Sequence, residues 1–411
     1  MSKQDFYSTL KSEVARIDGA KTTKRFERII EGFTNDASPK AVIAGKEYSV
    51  FNSNDYLGLR HNPHLKAAEH EASQKFGTGP GAVRFISGTL SVHKELESAV
   101  AKFHGRDDAI VFSSAFAANL AVMFTLSQGL TKDSLIDSNV LVLSDALNHR
   151  SIIDGVRLTG LPKDNRKIFA HKDMQDFEKV LAENVGNYKR VVVVTDGVFS
   201  MLGEYQDLVG MKKIIEKYDD KYEQGIMLVI DEAHGVGAAG ATGRGTEELQ
   251  DVKADVLVGT FGKAFGADGG YVTGDQVTID YLRESSATYI YSNSISPGTA
   301  AAALRAIKMI DEPEGKKLLE SSRKNTQLFK KLMTEAGLQF AADSTHPIQP
   351  VLIGDTAKTK EIVNKLFEKG YLVTNISYPV VPKGRDEIRV QISATHTKED
   401  IDALVKAWKE M

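Results

Sequence analysis

Between residues 60 and 296 the chain alternates short apolar runs with longer, mostly polar stretches. The runs fall at 109–112, 140–144, 167–169, 191–195, 227–231, 256–260 and 270–273. Several are continuously apolar rather than alternating, the pattern of strands covered on both faces of a parallel sheet. Helix-length polar segments separate most of them. The pattern therefore predicts an α/β fold with a doubly wound, mostly parallel sheet. Upstream, residues 5–33 predict an amphipathic helix followed by a basic turn, Lys21-Thr22-Thr23-Lys24-Arg25, and residues 41–51 a small hairpin. Downstream, a long helix starts near Pro297, where the alanine run 300–303 and Ala306 allow close packing. Helices are expected at 314–336 and 355–369, and strands at 348–353 and 387–392. A last helix follows Thr397, whose spacing to Asp400 is that of a capping box with Asp in place of Glu. These elements divide the chain into an N-terminal helix and hairpin segment (1–60), a large domain (61–296) and a smaller α+β C-terminal domain (297–411).

Composition narrows the function classes. The chain has no cysteine, which excludes disulfides, thiolate metal sites and cysteine nucleophiles. A formal net charge of −3 gives no reason to expect a nucleic-acid partner. The first residues, Met1-Ser2-Lys3-Gln4-Asp5-Phe6-Tyr7, contain no apolar signal core, and no apolar run is long enough to span a membrane. The cytoplasm is the expected location.

In parallel α/β sheets, ligands bind beyond the carboxyl ends of the strands. Polar residues gather at five such ends: Ser113 and Ser114, with Phe116 beside them; Ser144, Asn148 and His149; Asp196 and Ser200; Asp231 and His234; Thr260 and Lys263. Lys263 closes an apolar run among glycines, Val258-Gly259-Thr260-Phe261-Gly262-Lys263, and Asp231 closes the run before it. A lysine amine forms a Schiff base with an aldehyde, and a carboxylate keeps a pyridine nitrogen protonated. Pyridoxal phosphate (PLP) chemistry needs that pair.

Each residue also has a plainer reading. Lys263 could be a solvated lysine and Asp231 a helix cap. His149 could be a satisfied histidine or a ring stacked on a cofactor. Ser114-Ala115-Phe116 could simply open a helix, or its backbone N–H groups could cradle a phosphate. Thr260 could be ordinary strand β-branching or a phosphate ligand. Arg389 alternates with apolar neighbours in Glu387-Ile388-Arg389-Val390-Gln391-Ile392, so it needs either an internal salt bridge or a substrate carboxylate. Lys21, Lys24 and Arg25 are either a solvated basic turn or phosphate contacts. The glycine clusters at 77–81 and 235–245 match neither a dinucleotide fingerprint nor a P-loop, and no His/Asp/Glu group has metal-ligand spacing.

Motifs in order along nearly the whole chain resemble the α-oxoamine synthase family of PLP enzymes, of aminotransferase fold type I. They are Ser53-Asn54-Asp55-Tyr56-Leu57-Gly58, Arg84-Phe85-Ile86-Ser87-Gly88-Thr89, Ser144-Asp145-Ala146-Leu147-Asn148-His149, Thr195-Asp196-Gly197-Val198-Phe199-Ser200-Met201, Asp231-Glu232-Ala233-His234-Gly235 and Gly259-Thr260-Phe261-Gly262-Lys263. Three stretches, beginning at His149, Tyr291 and Tyr378, are most similar to the glycine C-acetyltransferase (2-amino-3-ketobutyrate CoA ligase) branch. Arg150 and Phe265-Gly266-Ala267-Asp268 depart from that branch, while Ser87 and 89–93 are nearer to others.

The resemblance implies roles. Lys263 bonds the cofactor aldehyde and moves the substrate proton. Asp231 pairs the pyridinium, His149 stacks on the ring, and His234 and Ser200 serve its phenolic oxygen. Ala115, Phe116 and Thr260 hold the phosphate. Ser292 and Asn293 reach the phosphate from a partner subunit, which implies a homodimer with shared sites. Asn54 and Arg389 hold the substrate carboxylate. The implied reaction joins glycine to acetyl-CoA, giving 2-amino-3-oxobutyrate and CoA, as in threonine breakdown. Another branch with a longer acyl-CoA (8-amino-7-oxononanoate synthase or serine palmitoyltransferase) is the alternative, and a plain PLP aminotransferase a more distant one.

Overall fold

The computed structural model describes residues 3–20, 23–131, 133–378 and 381–411. An antiparallel meander, β1 (Gly32–Phe33), β2 (Ala41–Ile43) and β3 (Lys46–Val50), comes first and includes the expected hairpin. All seven apolar runs of the middle region then form one sheet. They are β4 (Asp108–Phe112), β5 (Val140–Asp145), β6 (Arg166–Phe169), β7 (Arg190–Asp196), β8 (Ile226–Asp231), β9 (Val256–Thr260) and β10 (Gly270–Gly274), in the order β4-β10-β9-β8-β7-β5-β6. From β6 to β9 the neighbours are parallel. Their apolar residues are buried against helices on both faces, with Val191–Val194 and Leu228–Ile230 at most 1 % exposed.

β10 runs antiparallel to both of its neighbours, β9 and β4. Only residues 261–269 join β9 to β10, too short for the crossover that a parallel return needs. That tight connection carries Lys263 and lies at the carboxyl end of β9, beside the ends of β7 and β8.

The helix Pro297–Ile310 forms as expected, with Ser296 accepting from the Thr299 amide. Ala300, Ala302, Ala303 and Ala306 are buried where it packs on the helices Pro63–Phe76 and Ser91–His104. Beyond it lie β11 (Ile348–Leu352), β12 (Tyr371–Leu372), β13 (Thr374–Ile376) and β14 (Glu387–Gln391). β11, β14 and β13 form an antiparallel sheet. β12 pairs in parallel with β3, which stitches the end of the chain to its beginning. Helices Pro313–Glu335, Thr356–Glu368 and Lys398–Lys409 cover one face of the small sheet around Ile388, Val390 and Ile392. Thr397 and Asp400 complete the capping box reciprocally.

The N-terminal helix ends just ahead of the basic turn, as expected. It spans Lys3–Gly19, and residues 23–31 have no regular structure. No residue of this helix is buried, so no packed face carries it onward past Gly19. Of the basic turn, Lys21 and Thr22 lie outside the described residues, and Arg25 is taken by Asp18 at 2.6 Å. Pro379 and Val380, in the stretch beginning at Tyr378, are also outside them. Among the described residues no helix is long and apolar enough to cross a membrane.

Candidate active site

The parallel register sets Asp196 beside Asp231 at the ends of β7 and β8, and the 261–269 connection brings Lys263 over them. The Thr260 hydroxyl pins this connection. It donates to the Gly269 carbonyl at 2.9 Å and accepts from the Gly262 amide at 3.1 Å. Gly266 has φ +66°, and a Cβ there would strike the backbone of Leu59 and Arg60, so only glycine lets the turn close. Burial lowers the Lys263 pKa to about 8, against the pull of Asp231 and Asp196, and Arg389 adds to the depression. Lys263 is thus half-buried rather than freely solvated.

Asp231 does not cap a helix. A turn follows it, in which Oδ1 accepts from the Ala233 amide at 2.8 Å. Oδ2 accepts from Asn119 Nδ2 at 2.6 Å, and the same amide group reaches Ser151 Oγ at 2.9 Å. Ser151 in turn meets His149 Nδ1 at 2.7 Å. Sequence reading passed over Asn119. Its signal was an amide inside an otherwise apolar helix, Ala115–Ser127, where a buried polar group requires a partner.

His149 is clamped to the end of β7. The Asn148 side chain donates to the Val194 carbonyl at 2.8 Å and accepts from the Asp196 amide at 2.9 Å. Asp196 Oδ2 accepts from the His149 amide at 3.0 Å. Burial lowers the His149 pKa, opposed by Asp231 and reinforced by Lys263, so the ring is held neutral. Burial also raises the Asp196 pKa, and the neighbouring Asp231 raises it further.

Ser114 caps the helix Ala115–Ser127 by accepting from the Ala117 amide at 3.1 Å, so the plain reading of this segment holds. The amides of Ala115 and Phe116 open the same helix toward the site. A Cβ at Gly270 would collide with the Ala115 nitrogen, so β10 approaches this N-terminus as only glycine permits. The Phe116 ring stands edge-on to the His149 ring, centroids 6.5 Å apart. Ser292 and Asn293 are not drawn in within one chain: the Ser292 hydroxyl meets only the Asn293 carbonyl, at 3.5 Å.

On the opposite wall, Arg389 Nη1 donates to the Ser200 carbonyl at 2.8 Å. Among the described residues Arg389 has no ion pair, so the internal salt bridge that sequence left open is not formed. Asn54 Oδ1 accepts from Gln391 and, at 3.4 Å, from the Tyr56 hydroxyl. Tyr56 also meets His234 Nδ1 at 2.8 Å, which leaves Nε2 for a ligand. Burial puts the His234 pKa well below normal, and Lys263 depresses it further. The Ser200 loop is fastened by His171, which meets Asp145 at 2.9 Å and Glu204 at 3.3 Å. Burial opposes charge on His171, yet these two bonds raise its pKa to about 9.

The glycine cluster 235–245 has a structural role. It wraps the buried carboxyl of Glu232, which accepts from the Thr246 amide at 2.8 Å, and a Cβ at Gly235 or Gly245 would collide with that carboxyl. A surface groove of about 660 Å³, lined by Lys94, Phe103, Arg244 and Ile307, touches none of the residues named above as site candidates.

A phosphorylated pyridine aldehyde fits this arrangement. Lys263 offers an amine with a lowered pKa. Asp231 has no ion pair among the described residues, so its charge is available to a ring cation. Buried Oδ1 atoms of Asn119 and Asp196 lack hydrogen-bond partners. The helix N-terminus at Ala115 supplies amides for an anion. A family model, aminotransferase class I and II, matches residues 46–407. The chain belongs to that family. Its fold is the PLP-dependent aminotransferase fold type I, and its relatives are α-oxoamine synthases.

The 8-amino-7-oxononanoate synthase of Petrotoga mobilis is 38 % identical over 99 % of this chain and 98 % of its own length. The mitochondrial 2-amino-3-ketobutyrate coenzyme A ligase of Bos taurus is 38 % identical over 98 % of this chain and 91 % of its own. Among solved structures, a serine palmitoyltransferase from S. paucimobilis with a bound PLP–myriocin aldimine superposes with a TM-score of 0.87 and 27 % identity, covering 100 % of this chain and 98 % of that one.

Proposed function

We propose that the protein binds PLP and transfers an acyl group from an acyl-CoA thioester to the α-carbon of an amino acid, with glycine and acetyl-CoA as the substrate pair. The convergence of the Lys263 amine, the unpaired Asp231 carboxylate and the Arg389 guanidinium in one site carries this reading. Bound PLP supplies an electron sink conjugated to the substrate α-carbon. The chain's residues do the rest. Asp231 would keep the ring nitrogen charged, His149 would stack on the ring, and the amides of Ala115 and Phe116 would hold the phosphate, with the Thr260 hydroxyl turned from the Gly269 carbonyl to join them. His234 Nε2 and the Ser200 hydroxyl serve the phenolic oxygen. Arg389 and Asn54 grip the amino acid's carboxylate, which fixes the α C–H bond toward Lys263, and the Lys263 amine takes that proton. A new C–C bond then forms at the thioester carbon as its C–S bond breaks, and CoA leaves. Ser292 and Asn293 complete the phosphate site from the second copy of a homodimer. The exposed apolar side chains of Phe85, Ile86, Phe116 and Tyr291 support such an interface.

The likeness to 8-amino-7-oxononanoate synthases at 38 % identity favours a second reading, alanine with a pimeloyl thioester. Thiol release with acetyl-, palmitoyl- and pimeloyl-thioesters against glycine, alanine and serine separates the two. Glycine with acetyl-CoA is expected to give the highest kcat/KM. A maximum at alanine with pimeloyl thioester establishes the second reading. Turnover with a keto acid and no thiol release overturns both.

Cofactor loading tests the state of Lys263. Only the neutral amine attacks an aldehyde, and a pKa of about 8 makes that form available below the ordinary lysine range. The rate at which cofactor-free protein captures PLP is expected to rise about tenfold per pH unit, then level near pH 8. A rise that continues to pH 10 would mark an ordinary lysine.

A further inference from the structure

The pleat of β14 sends Glu387, Arg389 and Gln391 to one face, and Ile388 and Val390 to the other. The polar face meets the site: Gln391 serves Asn54, and Arg389 serves the Ser200 carbonyl. Glu387 has no such explanation. It is 0 % exposed, and neither of its carboxyl oxygens has a hydrogen-bond partner. The flanking strands place only Leu352 and Ile376 opposite it. Arg389 Nε is also buried without a partner. A buried carboxyl and a buried guanidinium nitrogen, both unsatisfied, are costly separately and account for one another as neighbours. They stand one pleat repeat apart on the same face, roughly 7 Å along the strand and within reach of two long side chains.

We propose that Glu387 is a proton-linked positioning residue for Arg389: protonated, it leaves the guanidinium open to a substrate carboxylate, and ionised, it pairs with the guanidinium and competes with that carboxylate. This rests on the reading of Arg389 as the carboxylate fork.

The charges around the pair agree with this. Burial raises the Glu387 pKa to about 8, opposed by Arg385 and Arg389 beside it in the chain and assisted by Glu204 from the loop after β7. Burial likewise works against the Arg389 charge, which Tyr56 and Glu387 favour. Burial pushes the Tyr56 pKa up, so Tyr56 stays neutral and Glu387 is the acid of the two. The sign follows. Below about pH 8 Glu387 is neutral and the fork is open; above it, each pH unit makes the ionised competitor tenfold more favourable.

Acetate, which has the carboxylate and no amine, is the probe, measured on the PLP-loaded enzyme as an inhibitor competing with the amino acid. Its inhibition constant is expected to be flat to about pH 8 and then to weaken about tenfold per unit in the native protein, and to stay flat in Glu387→Gln. The same slope in both overturns the proposal. Calorimetry on the unaltered enzyme at pH 9, in two buffers of different ionisation enthalpy, gives an independent reading. Acetate binding is expected to take up about one proton, and no uptake refutes the gate. Arg389→Ala separates the two levels. Acetate binding that survives this change removes the fork reading itself, whereas a lost fork with an unchanged slope in Glu387→Gln removes only the role of Glu387.

Discussion

Lys263→Ala is expected to leave a folded protein that no longer shows the visible absorbance of lysine-bound PLP, with turnover reduced by at least about 10⁴. Two functions end together in this variant. On the proposed mechanism these are the covalent anchoring of the cofactor and the removal of the α-proton. Nothing nearby replaces the lysine. Burial lowers the pKa of both His149 and His234, which makes them weaker bases, and Nδ1 of each ring is engaged, with Ser151 and Tyr56 respectively. The fold should tolerate the change, because the 261–269 connection is held by Thr260, Gly266 and Gly269 rather than by the lysine side chain. The measurement is an absorbance spectrum of the protein incubated with PLP, followed by single-turnover kinetics. Retained activity would remove the mechanism.

Asp231→Asn should lower kcat by roughly 10²–10⁴ and weaken PLP binding, while glycine KM changes far less. The exchange preserves shape but removes the charge that favours a protonated ring nitrogen. The Asn119 amide, which now donates to Oδ2 at 2.6 Å, would face either the remaining carbonyl oxygen or a second NH₂ group. The substitution therefore disturbs the Asn119–Ser151–His149 chain as well. Adding Asn119→Ala tests that coupling: if the two changes act through one network, the double variant loses less than the product of the single losses. An unchanged kcat in Asp231→Asn would make Asp231 a turn former and nothing more.

Much of this architecture was legible because the large sheet is buried on both faces. Seven short apolar runs, several of them continuous, predicted seven strands, and each is present. The polar residues at the strand ends were legible for the same reason, since a strand that ends in Asp231 or Asp196 must leave its core there. Side-chain relays were not legible. Asn119 reaches Asp231 from another element, and Asp196 donates to Asn148 and accepts from the His149 amide across a gap in sequence that only the parallel register closes. Short strands such as β12 and β13 carry too few residues for a period to emerge.

The antiparallel insertion of β10 bears on how the molecule is made. β4, which leads into the helix Ala115–Ser127, stands at the sheet edge with β10 as its one neighbouring strand, Phe112 opposite Gly270. During synthesis β4 leaves the ribosome long before its partner strand exists. Its ladder groups stay unpaired until the 261–269 connection has been translated and has turned back. The helix N-terminus at Ala115 and the Lys263 loop must therefore settle against each other in one late step, which a nascent chain stopped short of residue 270 could not take.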